Sequence, residues 1–319
     1  MTDRDILVAG ETLIDFLPGR AGPLSDVEQF RRRAGGAPAN VAVALARLDR
    51  TPWFWTRVGD DPFGDHLVET LDSSGVPRRF VERDPTAKTS LAFVSHDADA
   101  DRAFTFYRDD TADTRLEPGG VPDEALDAVD WVYVGGVMLA QEPARGATLD
   151  LAERARERGC TVAFDPNARP ELWTPGEFET LVGRALELAD VVKATPADLR
   201  AAGIDADGPA ALAEAVAATG PHTTLLTLGD EGAYARSTDA APWGSGEASH
   251  PGYAVDPVDT TGAGDAFTAG AIAALSDGEP LDEVLAFANA VAAVTTTAPG
   301  AMAALATREE VAQFRTSRD

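Results

Sequence analysis

The segment with the clearest chemical pattern is DTTGAGDAFTAGAIAAL at 259–275. Phe267, Ala271, Ala274 and Leu275 follow helical spacing, which puts the glycines at the N-terminus of a helix packed on a core. Backbone N–H groups at such an end lack partners and carry the positive end of the helix dipole. Gly262, Ala263 and Gly264 therefore form a cradle for an anion. Asp265, a carboxylate beside that cradle, has two readings. It takes the proton of a nucleophile that attacks the bound anion, or it caps the helix.

A second glycine-rich unit, AGGAPANVAVALARL at 34–48, also precedes an amphipathic helix, with Val41, Ala44, Leu45 and Leu48 on one face. Gly35 and Gly36 let a small ligand approach the backbone closely, and Asn40, both donor and acceptor, can read a hydroxyl. A plain turn and helix start is the competing reading. Only two of the 27 basic residues are lysines, Lys88 and Lys193. Lys193 ends the apolar run DVVKA, where its compact charge suits phosphate oxygens or a bridging water, although a lysine snorkelling from a strand end would look the same.

Several chemistries are excluded. Neither lysine follows a glycine, so the Gly-Lys-[Ser/Thr] phosphate loop is missing; Ser245 lacks the first glycine of a hydrolase elbow, and Phe267 stands where a dinucleotide fingerprint needs its last glycine. A single cysteine, Cys160, and four scattered histidines exclude disulfide and zinc scaffolds. The balance of 53 acidic against 27 basic residues, net −26, makes nucleic acid a poor partner. With so few lysines it points to a halophile's surface, hydrated and soluble in concentrated salt. In molar salt the Debye length falls to about 3 Å, so an ATP site is compatible with this charge. No apolar run is long enough to span a membrane, and the charged start, Met1 to Arg4, leads straight into a strand, so a cytoplasmic protein is expected.

The elements that must position these residues alternate. Strand-like runs at 6–10, 53–59, 131–136, 161–165, 190–194 and 223–229 are separated by helical patterns, among them Asp61-Pro62 opening a helix with Phe63, Leu67 and Leu71 on one face, and Pro143 to Arg158. This predicts an α/β fold, a mostly parallel sheet covered by helices, in one domain over 1–319. Two segments, about 11–36 and 88–112, break the alternation; the second reads as a hairpin, TSLAFVSH, a polar turn at 97–102, then AFTFYR. Both are assigned to a small β-sheet that serves as a lid, with Phe93, Phe104 and Phe106 as an aromatic face and a homodimer contact as a second use.

Taken together, GGAPANVAVALARL near the start and DTTGAGDAF near the end resemble the paired signatures of the ribokinase-like (PfkB) carbohydrate kinases. GDDPFGDHL at 59–67, FYR at 106–108, FDPNARPELW at 164–173 and TLGDEGA at 227–233 extend the resemblance over essentially the whole chain. It implies a three-layer α/β/α fold with a β-sheet lid and transfer of the γ-phosphate of ATP to a sugar hydroxyl, with Mg²⁺ and, in many members, K⁺. The flavour of AGGAPAN, FYRDDTAD and DPNARPELW is similar to fructokinases, with 2-keto-3-deoxygluconate kinases close behind. A non-catalytic sugar-binding regulator on the same fold is the reading from a different class.

By this resemblance Asp265 is the catalytic base and Gly262, Ala263 and Gly264 the anion hole. Asp15, Gly35, Gly36, Asn40 and Asn167 bind the sugar, while Arg108 and Arg169 reach the sugar or the transferred phosphate. Lys193, Thr227, Gly229 and Asn289 serve the nucleotide, and Asp259 and Thr261 match a monovalent-cation site. One departure stands out: where the family often shows Asn-x-x-Glu, this chain has Thr195, Pro196, Ala197 and Asp198, so any carboxylate ordering Mg²⁺ through water is one methylene shorter.

Overall fold

The computed structural model describes residues 6–20, 22–96 and 102–318. Among them, a nine-stranded sheet runs in the order β13 (Gly246–His250), β12 (Ala233–Ser237), β11 (Thr223–Thr227), β10 (Val191–Ala194), β9 (Thr161–Asp165), β8 (Trp131–Gly135), β1 (Ile6–Ala9), β4 (Trp53–Gly59), β5 (Val81–Asp84). Every pairing from β11 to β5 is parallel, and β12 and β13 add an antiparallel edge. The six runs read as strands are all central members of this sheet. Strands β5, β12 and β13 escaped because VERD, AYARS and GEASH are short and rich in polar residues.

Period-two alternation builds the core on both faces. Ile6, Val8, Trp131 and Tyr133 point to the layer containing α1 (Ala37–Arg47), α8 (Ala263–Ser276) and α9 (Leu281–Thr296). Leu7, Ala9, Val132 and Val134 point to the layer of α4 (Ala144–Glu157), α5 (Glu177–Leu188) and α7 (Gly208–Ala217). A sheet buried on both faces in this way needs strands apolar at nearly every position, as β1, ILVA, and β8, WVYVG, are. The remaining helices are α2 (Pro62–Ser73), the short α3 (Asp123–Leu126), α6 (Pro196–Ala201) and α10 (Ala301–Ala304), and α11 (Arg308–Thr316). Asp61 caps α2 as its sequence suggests, accepting from the N–H groups of Phe63 and Gly64 at 3.0 Å each.

A separate four-stranded sheet runs β3 (Phe30–Gly35), β2 (Leu13–Pro18), β6 (Leu91–His96), β7 (Arg102–Tyr107). The turn expected at 97–102 lies, up to residue 101, outside the described residues. The aromatic face needs one correction. Cross-strand register puts Val94 opposite Phe104 and Ala92 opposite Phe106, whereas Phe93 sits opposite Thr105. Phe93 therefore points to the other side, stacked on Phe16 at 4.8 Å and edge-on to Phe30 and Tyr107. Phe16 meets Phe63 of α2 edge-on, which seats that side of the small sheet on the body.

Candidate active site

A cavity of about 450 Å³ opens where strands β1, β8, β9 and β10 end at their carboxyl termini, under the Phe104 and Phe106 side of the small sheet. Parallel strands whose neighbours lie on opposite sides leave a crevice at such ends, and β1, between β8 and β4, supplies the switch. Of the predicted residues, Asp15, Gly36, Asn40, Asn167, Arg169, Lys193, Asp198, Thr261, Gly262, Gly264 and Asp265 all line it.

The two glycine-rich motifs converge here. Gly262 stands at the N-cap of α8 in the left-handed region, φ 81°, and a Cβ there would come 3.0 Å from the Cβ of Ala301. Asp265 makes no capping bond to α8; instead its Oδ2 accepts from Asn40 Nδ2 at 2.7 Å. The carboxylate is thus turned toward α1 and not spent on the free N–H groups of its own helix. Burial pushes the Asp265 carboxyl up to about 6, against the pull of the Asn40 hydrogen bond and the Lys193 charge. Gly36 opens α1 at φ 101°, where a Cβ would lie 2.5 Å from the Glu11 carbonyl, and a Cβ on Gly35 would strike Asp15 Oδ2 at 2.0 Å. Both glycines are therefore sterically required beside the acidic groups.

Asp15 leaves β2 into the cavity, and burial raises it to about 7 against the attraction of Arg169. Arg169 lies over the Phe104 ring at 5.3 Å and donates to the Ala168 carbonyl at 2.8 Å. Lys193 reaches from the end of β10 to Asp165 at the end of β9, Nζ to Oδ2 3.0 Å, and a Cβ on Gly264 would lie 3.2 Å from the same Nζ. The ammonium therefore stands between a carboxylate and the anion cradle. Burial works against its charge, but Asp165 and Asp198 outweigh it and hold its pKa above the ordinary lysine value. Asp198 is occupied structurally: Oδ2 accepts from the N–H and hydroxyl of Thr195, capping α6, and Oδ1 accepts from Ala168 N at 2.9 Å. Asp259 organises the loop before α8, with Oδ1 accepting from the N–H and hydroxyl of Thr261 and Oδ2 from Gly300 N at 3.0 Å.

Seven predicted residues are not in the lining: Gly35, Asp259 and Ala263 adjoin it in the chain, and four others stand apart. Arg108 is buried behind it, its Nε on Asp113 Oδ2 at 2.6 Å and Nη1 on the Val137 carbonyl at 3.3 Å. Thr227 and Gly229 end β11 outside the cavity lining, and a Cβ on Gly229 would meet nothing within 4 Å. Asn289 is buried in α9 and donates to the Leu285 carbonyl of its own helix. Three acidic cavity residues had not been singled out: Glu11, Asp165 and Glu171. Glu11, 3% exposed, has Oε1 on Ala37 N at 3.3 Å and Oε2 without a hydrogen-bond partner, and burial raises it to about 7. Asp165, the partner of Lys193, was visible only as the polar end of the run TVAFD.

The model of the pfkB family carbohydrate kinases matches residues 3–308. Fructokinase-1 of rice (Oryza sativa subsp. japonica) is 38% identical over 99% of this chain and all of its own length. The crystal structure of fructokinase with bound ATP from Xylella fastidiosa superposes with a TM-score of 0.86 at 32% identity, covering 99% of each chain. A fructokinase of Vibrio cholerae, solved with fructose, ADP and a potassium ion bound, covers 97% of each chain with a TM-score of 0.83 at 31% identity.

Proposed function

Since the chain belongs to the pfkB family of carbohydrate kinases, we propose that it is an ATP-dependent fructokinase in which Asp265 takes the proton of the attacking hydroxyl. The observation that carries the sugar assignment is the charge of the cavity. Glu11, Asp15, Asp165, Glu171, Asp198 and Asp265 line it, against Arg169 and Lys193. Arg108, the second guanidinium that an acidic sugar would need, is held by Asp113. A neutral polyol finds acceptors for its hydroxyls there; a carboxylate substrate has no donor for them and meets like charge wherever they are ionised.

In this reading Asp15, Asn40, Asn167 and the backbone of Gly35 and Gly36 grip the sugar. Asp265 stands in the first turn of α8, so the proton acceptor and the N–H groups of Gly262 to Gly264 border the same cavity within one helical turn. In-line transfer needs that alignment and little covalent chemistry. Lys193 supplies positive charge beside the anion cradle, and Arg169 reaches the phosphate as it transfers. Thr227, Gly229 and Asn289 belong to the nucleotide side. Closure of the small sheet would carry Phe104 and Phe106 over the cavity and exclude water, and the same sheet would pair with a second copy in a homodimer; light scattering that finds only monomer at every concentration overturns the pairing.

Among the described residues no group of three or more acidic, His or Cys side chains forms a metal cage. Mg²⁺, which keeps several waters and binds largely through nucleotide phosphates, fits such a site through water on Asp198 and would neutralise phosphate charge. Asp259 and Thr261 would hold K⁺ beside the cradle, adding fixed positive charge. No described helix is long and apolar enough to cross a membrane, and we place the enzyme in the cytoplasm. A phosphorylation assay over a panel of sugars, with ATP, Mg²⁺ and high KCl, tests the function: fructose is expected to give the highest kcat/KM, and no turnover of any sugar would favour a binding-only protein.

A further inference from the structure

A second cavity, about 430 Å³, lies along the open β3 edge of the small sheet, between strand β3, helices α1 and α2 and the Gly300–Ala303 segment, so that Arg32 and Arg33 reach it from the two faces of that strand. Its lining includes Arg32, Arg33, Arg47 and His66 and no Asp or Glu. In a chain with 53 acidic against 27 basic residues this concentration of positive groups runs against the net charge. Many of the other arginines pair with carboxylates, among them Arg83 with Asp60 and Asp65, Arg154 with Asp123 and Asp150, and Arg158 with Asp123 and Asp127. Among the described residues Arg32 and Arg33 make no ion pair and no side-chain hydrogen bond.

The cavity is also held in shape. Arg47 Nη1 donates to the carbonyls of Ala303, at 3.3 Å, and Leu305, which fixes the guanidinium against the wall. The field of Arg32 reaches His66: with burial acting first, it lowers the imidazole pKa against the opposing Glu69, so the ring is neutral and free to accept or donate. The two hydroxyls in the wall are committed as donors. Thr70 Oγ1 gives its proton to the His66 carbonyl at 2.7 Å, and Ser74 Oγ gives its own to the Thr70 carbonyl at 2.7 Å. They face a ligand as acceptors, suited to hydroxyl donors and not to phosphate oxygens.

We propose that this cavity is a binding site, separate from the sugar and nucleotide cavity, for a phosphorylated sugar or polyol: the phosphate on Arg32 and Arg33, the hydroxyls on Thr70 and Ser74. A free phosphate would use only the arginine half. The site shares a wall with the catalytic machinery, because Ala301 packs against Gly262 and the Gly300 N–H holds Asp259. Arg33 also stands directly across the β2–β3 ladder from Asp15. A ligand there ties the small sheet to the body behind the anion cradle. The assignment does not depend on which sugar the enzyme phosphorylates.

The test is equilibrium binding of glucose 6-phosphate and of inorganic phosphate in dilute buffer, with the main cavity filled by a non-hydrolysable ATP analogue. Glucose 6-phosphate is expected to bind one per chain, and Arg32→Ser to weaken it at least tenfold without changing kcat. Arg83→Ser, which removes the same charge outside the cavity, should leave binding within twofold. The double variant Thr70→Val, Ser74→Ala should weaken glucose 6-phosphate several-fold and leave inorganic phosphate unchanged. Equal loss in the Arg32 and Arg83 variants, or none in either, overturns the site. Inorganic phosphate binding as tightly as glucose 6-phosphate overturns the phosphorylated-polyol assignment.

Discussion

Asn40 donates its side-chain N–H to Asp265 across 2.7 Å, linking residues 225 positions apart in the chain. The bond makes one unit of the two glycine-rich motifs: α1 delivers the amide, α8 delivers the carboxylate, and the cavity lies between. Asn40 Oδ1 is buried with no hydrogen-bond partner, so the amide offers an acceptor on one side and steadies the base with the other.

The pH dependence of turnover follows. Asp265 acts only when deprotonated, and its pKa stands near 6, so kcat should fall as pH drops through about 6. The Asn40 hydrogen bond stabilises the carboxylate, so removing it raises the pKa. Asn40→Ala is expected to move the acid limb of kcat upward by about one to two units, in line with roughly 1.5–3 kcal/mol for a hydrogen bond to a charged group. A kcat profile with an unmoved acid limb would mean that Asn40 acts on the sugar alone.

Asp265→Asn should lose about 10²–10⁴-fold in kcat while ATP and sugar still bind, since the amide keeps the shape but cannot take the proton. The same variant should stabilise the ligand-free fold. A carboxyl whose folded pKa is raised from 3.8 to about 6 binds more protons folded than unfolded between those values, so its contribution to stability falls as pH rises through that window. Above pH 6 the full cost is present, on the order of 1–3 kcal/mol at ~1.4 kcal/mol per unit. Melts of the two proteins at pH 7 and pH 4 check the sign: the variant's advantage should be present at pH 7 and shrink toward pH 4.

Much of this site could be read from residue spacing because its parts are local. The helix after Gly262 shows its periodicity in Phe267, Ala271, Ala274 and Leu275, all buried, and the central strands show theirs as apolar runs. What could not be read depends on register or on distant partners. Whether Phe93 shares a face with Phe104 is decided by the register between β6 and β7, which apolar spacing within either strand alone does not set. Arg108 carries the same charge whether it faces a substrate or Asp113, and only packing beside Val137 and Met138 reveals which. Lys193 and Asp165, 28 residues apart, meet because β9 and β10 end side by side.

The charge of −26 bears on stability. Unscreened carboxylates repel one another in dilute buffer, and molar KCl shortens the Debye length to about 3 Å, which removes most of that repulsion. The thermal midpoint is expected to rise by several degrees between 0.1 M and molar KCl. A midpoint independent of KCl would indicate that the existing ion pairs already balance the surface.

Arg169→Ala separates the two sugar classes. Arg169 lines the cavity over the Phe104 ring, and with Arg108 bound to Asp113 it is the guanidinium left for an anionic group there. If the acceptor is fructose, Arg169 serves the phosphate as it transfers, and the variant should lose mainly kcat with KM for the sugar little changed. If the acceptor is 2-keto-3-deoxygluconate, Arg169 pairs with its carboxylate in the ground state, and losing a charge-assisted hydrogen bond of about 1.5–3 kcal/mol should raise KM by roughly ten- to a hundredfold. The acidic lining of Asp15, Asp165 and Asp265 favours the first outcome, because sugar hydroxyls can donate hydrogen bonds to these groups whereas a substrate carboxylate has no donor and is repelled wherever they are ionised. A variant with a large rise in KM, in an enzyme that turns over the keto-acid and not fructose, would reverse the assignment.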